Sequence, residues 1–286
     1  MKREGVERLP AHGTSSSAPR SAKEAYCAER RKRGRILGIN QTVPYCGPAP
    51  LPADLWSAWN FDPFAILLVA FLTAFTAMRE ANGWLSWKVP AVFLISSLIF
   101  ISPLCALTTA LFSARVTHHF ILMTALAPLL ASLLRLEHSV LNRLPPELAF
   151  IIHTLIFWLW HVPPGYAFAL SGDLAYWSMQ GTLLLSAVWL WAIILSRRTT
   201  LMCAITLTLG TVAQMGMLAA ILTLSRAPLF AAHMDTTLAF GLEPLRDQQL
   251  AGVLMWTVGL LPYLAVAIAR LYQTVAITRG DGEQRW

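Results

Sequence analysis

Residues 174–195, LAYWSMQGTLLLSAVWLWAIIL, form a run of 22 without one Asp, Glu, Lys or Arg. A helix rises about 1.5 Å per residue, so this run spans the roughly 30 Å hydrocarbon layer of a bilayer. Six more apolar segments flank it: Phe61–Met78, Val89–Leu107, Leu111–Leu134, Leu148–His161, Leu201–Leu224 and Leu250–Leu271. The whole chain follows suit, with 56% hydrophobic and only 13% charged residues and a mean hydropathy of +0.55. A soluble domain carries about a quarter charged residues. The period-2 alternation of a membrane barrel is absent. The sequence therefore predicts an all-α polytopic membrane bundle of seven transmembrane helices. The fourth is stopped by Pro163 and Pro164, which lack a backbone donor. Residues 1–60 read as a basic disordered tail and Pro-rich lead-in, 61–272 as the membrane domain and 273–286 as a C-terminal tail.

The net charge of +7 is concentrated at one end. Residues 1–35 hold ten Lys/Arg against four Glu, leaving +1 for everything after them. No apolar core of signal-peptide type follows this basic run before Pro44, so it is not read as a cleaved signal. The bilayer, and not nucleic acid, is the expected partner. Four cysteines (Cys27, Cys46, Cys105, Cys203) form no CxxC pair, which excludes a zinc-ribbon framework and gives little sign of disulfides. Cys105 reads as a buried inert thiol. Orientation follows from Lys/Arg in short connections. With the residues before Phe61 outside, Arg79, Lys88, Arg135, Arg143, Arg197, Arg198, Arg279 and Arg285 fall inside, against Arg226 and Arg246 outside. This predicts an N-terminus outside and a C-terminus in the cytoplasm.

That orientation sorts the polar residues of the spans. Arg115, His118 and His119 fall near the outer end of the third helix and His161 at the outer end of the fourth. Tyr176 and Gln180 lie near the start of the fifth and Gln214 below the outer end of the sixth. Asp247, Gln248 and Gln249 open the seventh. A charge in hydrocarbon costs roughly 2.5–3.5 kcal/mol on insertion scales, so such groups face a bundle interior, a cavity or an ion. The expectation is a polar chamber opening outward. His153 is an exception at mid-depth. Gln249, Gly252, Trp256 and Gly259 share one face of the seventh helix and read as a packing seam, with small residues admitting a neighbour. Met255 lies close to the face of Gln248. Trp56, Trp59, Trp158, Trp160 and Trp177 read as interfacial anchors. His12, His138 and His233 fall in connections and read as solvated.

Arg115, His119 and Met123 recur at four-residue intervals. Imidazole and thioether together suit copper, thioether favouring Cu(I). His119, Met123 and His161 are thus the candidate metal ligands, with a copper ion as the expected cofactor. Met215, Met217 and Met255 add sulfurs, although methionine in a membrane bundle mostly fills gaps between helices. No Ser/His/Asp grouping, phosphate-cradling loop or H-E-x-x-H motif is present, so the chain reads as non-enzymatic.

SPLCALTTALFSARVTHHFILMTALAPLL, WLWHVPPGYAFAL, RAPLF and DQQLAGVLMW together resemble the CtaG family of seven-helix cytochrome c oxidase assembly factors. The likeness extends from about Tyr45 to Tyr272, and the lead-in YCGPAPLPADLWSAWNFDP also looks like members from proteobacteria. DQQLAGVLMW is its most specific element. The resemblance implies maturation of a haem–copper oxidase in the bacterial plasma (inner) membrane, with oxidase subunits as partners and copper handled at the outer face. His119 and Met123 match the family's second histidine and following methionine. His161, Pro163 and Tyr166 match its HxPxxY element, and Asp247, Gln248, Gln249, Gly252, Met255 and Trp256 its terminal motif. Arg115, Tyr176, Gln180 and Gln214 stand where many members carry histidine. A permanent cation at Arg115 opposes binding of a metal cation nearby. A member departing in this way can act as a scaffold that holds an oxidase subunit. A copper or small-solute transporter using the same chamber is the alternative, and a haem-binding membrane cytochrome a third.

Overall fold

The computed structural model describes residues 44–133, 144–196 and 198–283, with side-chain burial as far as residue 272. The reading of residues 1–43, and of His12, His138 and Arg197, lies outside the described residues. The helices are α1 Pro63–Arg79, α2 Lys88–Phe100, α3 Pro103–Ala110, α4 Phe112–Phe120, α5 Ala127–Leu133 and α6 Pro146–His161. They continue with α7 Pro163–Ala169, α8 Asp173–Leu195, α9 Leu201–Leu224, α10 Pro244–Thr257 and α11 Leu260–Glu283. No strand occurs among the described residues. The last helix therefore runs on past residue 272, into the segment expected as a tail.

Among the described residues five stretches are long and apolar enough to cross a membrane: Lys88–Ala110, Phe112–Leu133, Asp173–Leu195, Leu201–Leu224 and Pro244–Tyr272. Helices α6 and α7 make a sixth if their 79° bend is taken within one span. The first expected span is the 17-residue apolar helix α1, short of the roughly 20 residues a bilayer needs. The described residues thus hold five to six such spans where seven were expected. Leu67, Phe71, Leu94, Leu155, Leu185, Leu209, Leu224 and Ile268 point out of the bundle, as side chains solvated by lipid tails would.

Local sequence sets the helix limits. Asp62 caps α1 by accepting from the amides of Phe64 and Ala65, and Ser102 and Thr200 cap α3 and α9 in the same way. Pro163 forces Val162 into an extended conformation and ends α6 at His161, as expected. Gly165 then permits the bend: a Cβ there would sit 1.8 Å from the Leu159 carbonyl oxygen. Between α4 and α5 the chain makes one wide π-type turn, Ile121–Leu126. Pro128 accounts for it. The Ala127 amide bonds the Leu122 carbonyl, five residues back, and Pro128 has no N–H to offer Met123. The indole of Trp191, on α8, donates to the Met123 carbonyl at 2.7 Å in its place.

One end of the bundle gathers the lead-in, the start of α1 and the end of α2. The Asn60 amide donates to Ile101 at 2.8 Å, and Cys46 is disulfide-bonded to Cys105. This corrects the reading of Cys105 as a free thiol. At the opposite end Lys88 pairs with Glu80 at 2.9 Å and Arg79 reaches the Leu133 carbonyl.

Candidate functional site

The site is built around a break in the chain. Leu111 is extended between α3 and α4, which leaves the Ala110 carbonyl and the first amides of α4 without helical partners. The connection from α9 to α10 and the first turn of α10 supply these partners. Thr236 Oγ1 donates to Ala110 O at 2.6 Å, and His233 Nδ1 approaches the same oxygen at 3.3 Å. Asp247, with 0% exposure, accepts from the Phe112 amide at 2.6 Å, from the Ser113 amide at 3.3 Å and from the Ser113 hydroxyl. The carboxylate also lies at the positive end of the α4 dipole. Its neighbours do similar work: Gln248 accepts from the Leu229 amide at 2.6 Å and donates to Leu222 O at 3.3 Å, and Gln249 donates to Ser225 O at 3.4 Å. The three polar residues that open α10 thus tie backbone ends together.

Two imidazoles meet beside this knot. His161 Nδ1 donates to the Phe157 carbonyl at 2.7 Å, which leaves the lone pair on Nε2. That atom lies 3.3 Å from His119 Nδ1. Both rings are buried, and His119 Nε2 has no hydrogen-bond partner. His118 turns to another neighbour, the Ile99 carbonyl, at 2.9 Å. Met123 is buried on the π-type turn that follows the helix of His119. Among the described residues no three His, Cys, Asp or Glu side chains converge as a metal-binding group.

Arg115, one turn before His119, is 1% exposed, and its three guanidinium nitrogens are buried without a well-aligned hydrogen bond. Its Cζ lies 5.7 Å from the centre of the Tyr176 ring, and the Tyr166 hydroxyl lies alongside. Tyr166 is itself 2.5 Å from His233 Nε2. Gln180 is buried next to the Tyr176 hydroxyl with the rest of its carboxamide unpartnered, and Gln214 is buried with its oxygen unpartnered.

His119 and His161 meet, and Arg115 lies against Tyr166 and Tyr176, at the end of the bundle where Asp247 caps α4. Others are placed differently. Trp256 is 49% exposed, because the buried stripe of α10 is Asp247, Gln248, Ala251, Gly252 and Met255, one step round from the expected seam. Gly252 does meet α9, where a Cβ would fall 2.2 Å from Thr223 Oγ1, and at Gly259 it would fall 2.7 Å from the Phe120 ring. Trp160 is buried and bonded to Thr182, so it is no interfacial anchor. His153 donates to or accepts from Ser186 at 3.0 Å. His233, expected in solvent, is buried, and its burial first and the Arg115 charge second hold the imidazole down to about 3. Nothing in its polar connection signals this; the signal is the unpaired carbonyl at Leu111's break, visible only in three dimensions.

Residues 69–276 match the family of cytochrome c oxidase caa3 assembly factors. No curated protein and no solved structure matches the chain. The chain belongs to this family of cytochrome c oxidase assembly factors.

Proposed function

We propose that this assembly factor serves its oxidase as a non-catalytic membrane scaffold that holds one Cu(I) as cargo at the His119–His161 pair. The observation that carries the reading is that pair: two buried imidazoles from α4 and α6, 3.3 Å apart, one with its tautomer fixed by Phe157. Cu(I) is soft and accepts low coordination numbers with imidazole and thioether donors. Two metal–nitrogen bonds of about 2 Å need the nitrogens roughly 4 Å apart, a small ring rotation from the observed spacing. Met123 is the nearest thioether in sequence, one turn beyond His119. The outward-facing side chains of α1, α6 and α9 offer an oxidase subunit a lipid-immersed docking face.

The disulfide supports placing this end of the bundle outside the cytosol, since disulfides persist in oxidising compartments. The Lys/Arg balance points the same way. The plasma membrane of a bacterium, with the lead-in outside, is the location that follows.

Deleting the gene and measuring oxidase activity and copper per oxidase tests the whole reading. Loss of holo-oxidase, restored by the wild-type chain, is expected; normal holo-oxidase refutes it. Titrating purified protein with Cu(I) against a chelator tests the cargo. One bound ion, lost in His119→Ala and His161→Ala, is expected. No binding by the wild type leaves the scaffold without the copper, and copper flux into liposomes replaces both with a transporter.

A further inference from the structure

We propose that Arg115 is the anchor of a buried binding site for one small monovalent anion, closed on its other sides by Tyr176 and Gln180. The proposal goes beyond the copper reading and does not depend on it.

A guanidinium carries five N–H donors and stays charged at every accessible pH. In Arg115 those donors sit on three nitrogens, all buried, and the single hydroxyl of Tyr166 beside them cannot satisfy five donors. Ion pairs such as Lys88–Glu80 and Arg246–Glu243 lie elsewhere, and among the described residues no carboxylate pairs with Arg115. Asp247 is the buried carboxylate at this end of the bundle, and it is engaged by the Phe112 and Ser113 amides and the Ser113 hydroxyl. The neighbours Arg115 does have are the Tyr176 ring and the Tyr166 hydroxyl, both neutral. An isolated buried cation is among the most costly arrangements a protein can hold.

The surroundings supply the rest of a site. Gln180 lies one turn along α8 from Tyr176, fully buried, with the Tyr176 hydroxyl as its polar neighbour and the rest of its carboxamide without a partner. A carboxamide N–H and the guanidinium fork would both donate to the same anion. A single negative charge cancels the single positive one, which favours a monovalent ion over a phosphate. The corner is covered by the lead-in: Tyr45 stacks on Tyr176 at 4.5 Å, and Cys46 is bonded to Cys105 beneath it. Chloride and a small carboxylate share the required chemistry.

The test is equilibrium binding of radioactive chloride to the detergent-purified full chain by scintillation proximity, with thermal unfolding run alongside. Saturable binding is expected, displaced by bromide and formate but not by the larger gluconate. Chloride at constant ionic strength should raise the unfolding temperature, because a ligand of the native state stabilises it. Arg115→Leu should abolish binding and that thermal shift, and Gln180→Leu should weaken binding about tenfold, the value of one charge-assisted hydrogen bond. Formate binding tighter than chloride assigns the site to a carboxylate; the reverse order assigns it to a halide. No saturable binding by the wild type, or wild-type binding by Arg115→Leu, overturns the proposal. If Arg115→Leu does not fold, unchanged affinity in Gln180→Leu overturns it.

Discussion

The Asp247 carboxylate accepts the Phe112 amide at 2.6 Å across 135 residues of sequence, so a side chain of α10 caps the first turn of α4. Leu111, the residue in the cap position of α4, offers no side-chain acceptor of its own. The acid at the head of DQQLAGVLMW is thus a structural member of the site that carries Arg115 and His119. Asp247→Ala should leave two buried amides and a hydroxyl unpaired and lower stability by about 2–4 kcal/mol. Asp247→Asn keeps one acceptor but loses the charge at the helix N-terminus, and should cost about 1 kcal/mol. Thermal unfolding of the purified protein measures both. Equal stability of Asp247→Ala and wild type would show that the cap contributes nothing.

The π-type turn gives a second test. Trp191 Nε1 donates to a carbonyl that Pro128 leaves without an amide. Trp191→Phe should therefore cost about 1–3 kcal/mol through an unpaired buried carbonyl. Pro128→Ala restores an N–H five residues on, so the same Trp191→Phe change should cost less in that background. The double-mutant cycle is needed because Trp191 also stacks on Tyr263, with centroids 5.0 Å apart. Strict additivity would disprove the assignment.

Gly165 is the residue on which the α6–α7 bend depends, since any Cβ collides with the Leu159 backbone at 1.8 Å. Gly165→Ala should straighten or displace α7 and with it Tyr166. The expected result is a large fall in folded protein, read by size-exclusion chromatography of detergent extracts. A normal monodisperse yield would show that the bend yields cheaply.

Different parts of this architecture were legible in the sequence for different reasons. Uncharged runs such as Leu174–Leu195 announce themselves because lipid tolerates nothing else, and Pro163 stops α6 by local sterics alone. Polarity at Asp247, Gln248 and Gln249 was equally plain. Their partners were not, because a broken helix at Leu111 carries no Pro or Gly and its unpaired groups lie far away in sequence. Cys46 and Cys105 are 59 residues apart and their pairing is a tertiary fact. His233 defeats the sequence reading because a connection between helices normally lies in solvent, and here the Ala110 carbonyl and the Tyr166 hydroxyl hold the ring inside.

The disulfide closes a loop of 59 residues. Chain-entropy arguments assign such a loop about 4 kcal/mol, as an upper value where the unfolded chain stays in the membrane. Cys46→Ser with Cys105→Ser should lower the unfolding temperature clearly and loosen Tyr45 from Tyr176. In intact cells a membrane-impermeant reductant followed by a thiol label should modify both cysteines. Labelling only after the membrane is opened would invert the proposed orientation.

Acid should weaken this end of the protein through His233. The ring is held as a neutral tautomer: Nδ1 faces the Ala110 carbonyl at 3.3 Å and Nε2 accepts from the Tyr166 hydroxyl at 2.5 Å. A proton on Nε2 would remove that acceptor and place a second cation within reach of Arg115, and Asp247, the nearby acid, is occupied by α4. Burial and the Arg115 charge accordingly hold the folded value down to about 3, against roughly 6.5 for an exposed imidazole. Between those values the unfolded chain binds more protons than the folded one, so stability rises with pH across the window. The contribution is fully present above about pH 6.5 and is lost progressively as the pH falls toward 3. His233→Asn keeps one donor and one acceptor but cannot titrate. It should cost about 1 kcal/mol near neutrality, the value of one imperfect hydrogen bond, and flatten the acid limb of the stability curve. Unfolding temperatures of both proteins from about pH 8 down to about pH 4 decide the matter. Parallel curves would place the acid sensitivity elsewhere.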